Sequence, residues 1–219
     1  MTIGTVGLVG LGLAGVFAAV DWIAVFRGDA RLERRAKPAV LAVLVVAVVL
    51  TDPDASPRSL LLATALATSL AGDWLLLPPE RFAQGLLAFF VAHLAYLGAF
   101  LVGPIHPELA LAGAIAAAAV LFVAGRGILA GATRAGMRRP VAGYLGAICL
   151  MAIAATASGL PLAIAGAWSF VASDAILGWD RFVAMPAGPP RSALVRRLAV
   201  IVPYHCGQLF LAAALLAAA

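Results

Sequence analysis

From Thr5 to Phe26 the chain carries a single charged residue, Asp21, and seven further apolar runs follow it. A helix needs about 17–25 residues to cross a bilayer, and the runs lie at roughly 5–26, 36–51, 59–77, 82–103, 108–128, 140–158, 161–179 and 196–217. They are continuously apolar rather than alternating, which argues against barrel strands. Lipid offers no partner to an unpaired backbone group, so each run must be a helix. The sequence thus predicts an all-α polytopic transmembrane bundle of eight helices, forming one domain over residues 1–219. At 64% hydrophobic and 11% charged, with a mean hydropathy of +1.06, the chain would expose too much apolar surface as a soluble fold. The second run is the shortest and ends at Thr51-Asp52-Pro53-Asp54, so it is expected to stand upright or to start within the basic segment before it. The first run is too long for a signal-peptide core and has no basic segment ahead of it, so it is read as a retained span.

The basic residues set the orientation. If the loops after helices 1, 3, 5 and 7 face the cytoplasm, they hold 14 of the 15 Lys and Arg residues, and only Arg58 lies opposite. Both termini are then expected on the non-cytoplasmic side of the cell membrane. The net charge of +5 is explained by this loop asymmetry, so no nucleic-acid partner is expected. The oligomeric state leaves no mark in the sequence.

Three patterns have a plain structural reading. Gly10-Leu11-Gly12-Leu13-Ala14-Gly15 matches G-x-G-x-x-G, but a dinucleotide fingerprint works only between a strand and a helix. Inside a span, glycines permit close helix packing. Cys149 and Cys206 sit within apolar runs and are expected to be packing residues, not a disulfide or a metal framework. The segments Ser69–Asp73 and Ser173-Asp174 each close a helix that runs toward the cytoplasm. Chance similarity in a biased composition is preferred to a four-helix repeat here.

Acids within spans are the informative residues, because a carboxylate at a helix centre costs ~2.5–3.5 kcal/mol. Three of the ten acids lie inside helices: Asp21, Asp73 and Asp174. All three fall a turn or so from the cytoplasmic interface, at the depth of Lys37 and Tyr144. Snorkelling and interfacial anchoring suit Lys37 and Asp21, while Asp73 and Asp174 are read as functional. Further along, Gln84 opens helix 4, and Phe89, His93, Tyr96 and Phe100 form one face of it. Helix 8 carries Tyr204, His205 and Gln208. Zinc held by His93, His205 and an aspartate is the metal alternative. The helical rise places both histidines about 10 Å deeper than the acids, which disfavours a shared site, so no metal or other cofactor is expected.

At these residues the chain resembles the YhhN family of eight-helix membrane proteins, which includes the lysoplasmalogenases. The matching positions are Lys37-Pro38, Ser69-Leu70-Ala71-Gly72-Asp73, Phe82 through Gly85, Phe89, His93, Tyr96, Phe100, Tyr144, Met151, Gly166-Ala167, Phe170, Ser173-Asp174, Tyr204 and Gln208. His205 departs from the pattern, where a second aromatic is expected. The resemblance implies hydrolysis of the vinyl ether of a lysoplasmalogen, a lysophospholipid, to a fatty aldehyde and a glycerophospho-base. Such cleavage needs a proton donor to the alkene carbon, and a carboxylate to steady the cation or activate water, as in glycoside hydrolysis. Asp73 and Asp174 are the expected catalytic pair, with the acid of the two left open. Lys37, Gln84, His93, Tyr96, Tyr144, Ser173, Tyr204 and Gln208 are the expected substrate-binding residues. The rival reading is a small proton-coupled transporter or lipid-binding membrane protein, since buried acids and histidines suit proton coupling equally. Against it, no helix is clearly broken at mid-membrane, Pro203 being the nearest candidate.

Overall fold

The computed structural model describes residues 3–184 and 190–218, and among them the chain forms eight helices. The helices are α1 (Thr5–Arg27), α2 (Ala30–Thr51), α3 (Pro57–Leu75), α4 (Phe82–Leu101), α5 (Pro107–Arg134), α6 (Arg138–Ala157), α7 (Pro161–Phe182) and α8 (Pro190–Ala218). Helix α5 contains a π-helical turn at Leu121–Gly125. No strand occurs among the described residues. Six helices, all but α2 and α3, are long and apolar enough to cross a membrane, so the chain is a multi-pass membrane protein.

The helices run antiparallel between two ends. At one end the start of α1 meets the ends of α2 and α8, where Gly7 lies against Thr51 and Leu216. There too Arg58 bonds the Ala218 carbonyl, and the His106 amide donates to the Ala157 carbonyl at 2.8 Å. At the other, basic end, Arg197 pairs with Glu33 at 2.6 Å and Phe82 packs edge-on to Phe182.

Several helices run further into the basic end than their apolar runs. The sequence starts the second helix at 36, yet α2 begins at Ala30. The Asp29 side chain caps it by accepting from the amides of Arg31 and Leu32, both at 3.0 Å. Arg31, Glu33, Arg34 and Arg35 are also good helix formers, so the cap extends the helix through residues expected in a loop. Likewise α8 begins at Pro190, α5 ends at Arg134 and α7 at Phe182, which puts Arg134 and Arg181 on helix beyond the apolar runs. Pro38 and Pro203 lie within helices that continue through them.

Small residues set the packing distances. On α1, Gly7, Gly10, Ala14, Ala18 and Asp21 are buried at helical spacing, and Leu8, Val9, Leu13 and Val16 point outward. A Cβ on Gly10 would stand 2.2 Å from the Ala47 Cβ, whereas Gly12 and Gly15 face open space. Only the first glycine of the apparent fingerprint therefore serves packing. Between α7 and α8 the backbones nearly touch: a Cβ on Gly166 would lie 2.9 Å from the Leu211 amide nitrogen. Cys149 and Cys206 are both free.

Candidate active site

Acids sit on α1, α3 and α7, which run toward the basic end, and their partners sit on α2, α4, α6 and α8, which start there. A helical side chain leans toward its own N-terminus. The two sets therefore lean toward each other and meet a short way inside the bundle.

The Asp73 carboxylate pairs with the Lys37 ammonium, Oδ1 to Nζ at 3.0 Å, and the Tyr204 hydroxyl donates to its Oδ2 at 2.8 Å. Asp73 is 3% exposed and Lys37 23%, so the pair is dry on one side and open on the other. Asp174 has the matching arrangement. The Tyr144 hydroxyl donates to Asp174 Oδ2, and the Tyr144 oxygen lies 3.0 Å from His93 Nε2. The buried His93 Nδ1 has no partner among the described residues. His93 Nε2 itself lies 3.6 Å from Asp174 Oδ2. Each aspartate thus accepts a tyrosine hydroxyl and faces one basic group.

Both aspartates line one cavity. Lys37, Tyr144, Ser173 and Tyr204 supply the rest of its polar wall, while Leu76, Phe82, Leu86, Phe89, Ile128 and Leu177 are among its apolar lining. Three aromatic contacts hold the walls: Phe170 stacks edge-on to His93 and to Tyr204, and Phe89 does the same to Tyr204. Gly72 makes room for Phe89, since a Cβ there would fall 2.6 Å from its ring. The Ser173 hydroxyl donates to the Val200 carbonyl at 2.9 Å, tying α7 to α8 beside Asp174.

Not every expected residue reaches this cavity. The Tyr96 hydroxyl donates to Gln208 Oε1 in a fully buried pair, and neither residue lines the cavity. Gln84 is exposed on another face of α4, in a shallow hollow with Thr68, Arg81 and Val91. His93 corrects an expectation, because helical rise alone set it about 10 Å deeper than the acids. The opposed lean of α4 and α7 side chains brings its ring to Asp174. His205 does remain apart: its Nδ1 accepts from Trp22 Nε1 at 3.1 Å, on the side of α1. Among the described residues no three His, Cys, Asp or Glu side chains gather as for a metal ion. Asp21, expected as an interfacial anchor, is fully buried, and among the described residues neither carboxylate oxygen has a hydrogen-bond partner.

Residues 32–215 match the YhhN family, a stretch that holds every residue of the cavity. The chain belongs to the YhhN family. A lysoplasmalogenase of Mycobacterium bovis is 35% identical to this YhhN chain over 166 residues, which cover 71% of the chain and 62% of that relative. Lysoplasmalogenase TMEM86B of Mus musculus is 36% identical over 151 residues, covering 69% and 61%. The TMEM86B of Homo sapiens is 33% identical over 154 residues, again covering 69% and 61%. The matched region of this YhhN chain thus spans about three-fifths of the length of these relatives. No solved structure matches it. Asp21 and Trp22 lie before the family match, and Lys37, Asp73, Asp174 and their tyrosine partners lie within it.

Proposed function

We propose that the chain is a membrane-embedded hydrolase that cleaves the vinyl ether of a lysoplasmalogen, releasing a fatty aldehyde and a glycerophospho-base. The observation that carries this reading is the shared cavity of Asp73 and Asp174, polar along one wall and apolar along the rest. The names of the YhhN relatives support the substrate class.

The two environments suggest different roles. Asp73, bonded by the Lys37 ammonium, is the carboxylate of the pair. Asp174, in contact among the described residues with no cation stronger than a histidine, is the acid in this scheme. In this scheme the Asp174 carboxyl gives its proton to the alkene carbon remote from the ether oxygen, leaving an oxocarbenium ion. Asp73 faces that positive charge. Water adds at the carbon next to oxygen, and its proton returns to Asp174. The resulting hemiacetal collapses to aldehyde and alcohol, so one water is consumed and both carboxyl groups are restored.

In the same reading all eight helices span the cell membrane, with the basic end in the cytoplasm and both termini outside. The charge of that end supports the orientation. The lipid would then enter from the cytoplasmic leaflet.

Detergent-purified protein incubated with a panel of lysolipids should release aldehyde, detected by mass analysis, from the vinyl ether members. A transporter would need sealed compartments and would release none. Asp73→Asn and Asp174→Asn should each lower turnover by at least about 10²-fold while eluting as the folded wild type does. Near-normal turnover in either variant would remove the paired-carboxylate mechanism.

A further inference from the structure

Lys37 and Asp73 form part of the wall of two cavities at once. The inner cavity holds Asp174. The outer one, about 1040 Å³ including its open mouth, lies between the first turns of α2 and the end of α3, with Glu33, Arg34, Pro38, Trp74 and Leu77 in its wall. The 3.0 Å Lys37–Asp73 pair is the partition between them. Of the charges facing outward, Glu33 is engaged by Arg197 at 2.6 Å, and Asp73 by Lys37. Arg34 makes no ion pair among the described residues. It lies three residues before Lys37, on the same face of α2.

We propose that the outer cavity is the phosphate subsite of the lysolipid, formed by Arg34 and Lys37, and that the bound phosphate draws Lys37 away from Asp73. The identity of the lipid rests on the hydrolase reading above. A lysolipid has three parts in line, a chain, a three-carbon glycerol and a phosphate headgroup. The chain suits the apolar inner cavity, the phosphate suits the two cations outside, and the glycerol crosses at the partition. The ether then lies beside Asp73. Arginine presents a planar fork of donors to phosphate oxygens, and lysine a mobile point charge. Lys37 exchanges one anion for another, while Asp73, its charge released, is held by the Tyr204 hydroxyl alone until positive charge develops on the substrate. Asp73 keeps the Tyr204 hydroxyl and turns its charge from the ammonium to the substrate. Binding at the headgroup thereby completes the reacting centre, a use of remote contacts to raise turnover.

The test uses a 1-alkyl glycerophosphocholine, which has no vinyl ether and cannot be turned over, and the neutral 1-alkylglycerol, which lacks the phosphate. Binding of each to detergent-purified protein is followed by calorimetry. Arg34→Gln should weaken the phosphate probe about tenfold, the loss of one charge-assisted contact, and leave the neutral probe bound as in wild type. Arg35→Gln removes the same charge from the same helix without touching the cavity, and should bind both probes as wild type does. Equal loss with both arginine variants would mean general surface charge, and no loss with Arg34→Gln would mean no subsite; either overturns the proposal. Competition by a two-chain phospholipid as strong as by the single-chain probe would make the groove a bilayer-headgroup site and overturn it too. Arg34-dependent binding without aldehyde release from lysoplasmalogen would uphold the subsite and reject the hydrolase reading.

Discussion

Tyr144 and Tyr204 hold corresponding posts, each donating its hydroxyl to one aspartate, yet their loss should be felt differently. Tyr144 stands between His93 and Asp174, so removing its oxygen separates the acid from the histidine as well as from the phenol. Tyr204 shares Asp73 with Lys37, which remains when the hydroxyl is gone. Tyr144→Phe is expected to lower kcat by about 10–100-fold with little change in KM, and Tyr204→Phe by about tenfold or less. Steady-state kinetics on a lysoplasmalogen would check this, and equal effects would deny the two aspartates distinct roles. Much of this residue scale was legible in the sequence. Buried acids are costly enough to stand out, and Asp73, Asp174, Lys37 and Tyr144 fell at one depth. Helical rise alone misplaces His93, because depth along a helix axis does not register side-chain lean. Gln84 was misjudged for a different reason: position near a helix start says nothing about which face a residue occupies. Arg34 carries no such signal, because the basic segment before residue 36 is expected as loop, where a face shared with Lys37 has no meaning.

Helices in this bundle are held at distances set by glycine, and the sequence alone does not say which glycines matter. Gly166 faces the α8 backbone, where a Cβ would lie 2.9 Å from the Leu211 nitrogen, while Gly12 faces nothing within 4 Å. Gly166→Leu should therefore push α7 from α8, break the Ser173–Val200 contact, and lower the thermal midpoint in detergent by several degrees or abolish folding. Gly12→Leu should leave the midpoint unchanged. Comparable midpoints for the two variants would show that the α7–α8 approach is not a constraint. The helix ends were less legible than the helices. Apolar runs mark the hydrocarbon, and Asp29 capping α2 carries it beyond that boundary into charged sequence.

At the level of the whole molecule, the basic residues gather at the end that holds the candidate site, and Arg58 stands at the other. If the basic end is cytoplasmic, a cysteine placed at Ile105, in the turn after α4, should react with a membrane-impermeant maleimide on intact cells. A cysteine at Ala135, in the turn after α5, should react only after lysis. Both are made in a Cys149→Ala, Cys206→Ala background, and the reverse pattern would invert the orientation. Architecture was the most legible property of all, because backbone pairing in lipid leaves few alternatives to a helical bundle.

The turns that join these helices have a mechanical consequence. Only Gly28 and Asp29 separate α1 from α2, Gly28 at a φ of 70° that glycine adopts without strain. The two-residue α1–α2 linker and contacts such as Gly10 on Ala47 leave these two helices little room for sliding. In the proposed hydrolase, admission of a substrate then falls to single side chains, with Lys37 swinging on its own four-carbon stem. In the proposed lysolipid hydrolase such a door opens by breaking one ion pair rather than by moving helices.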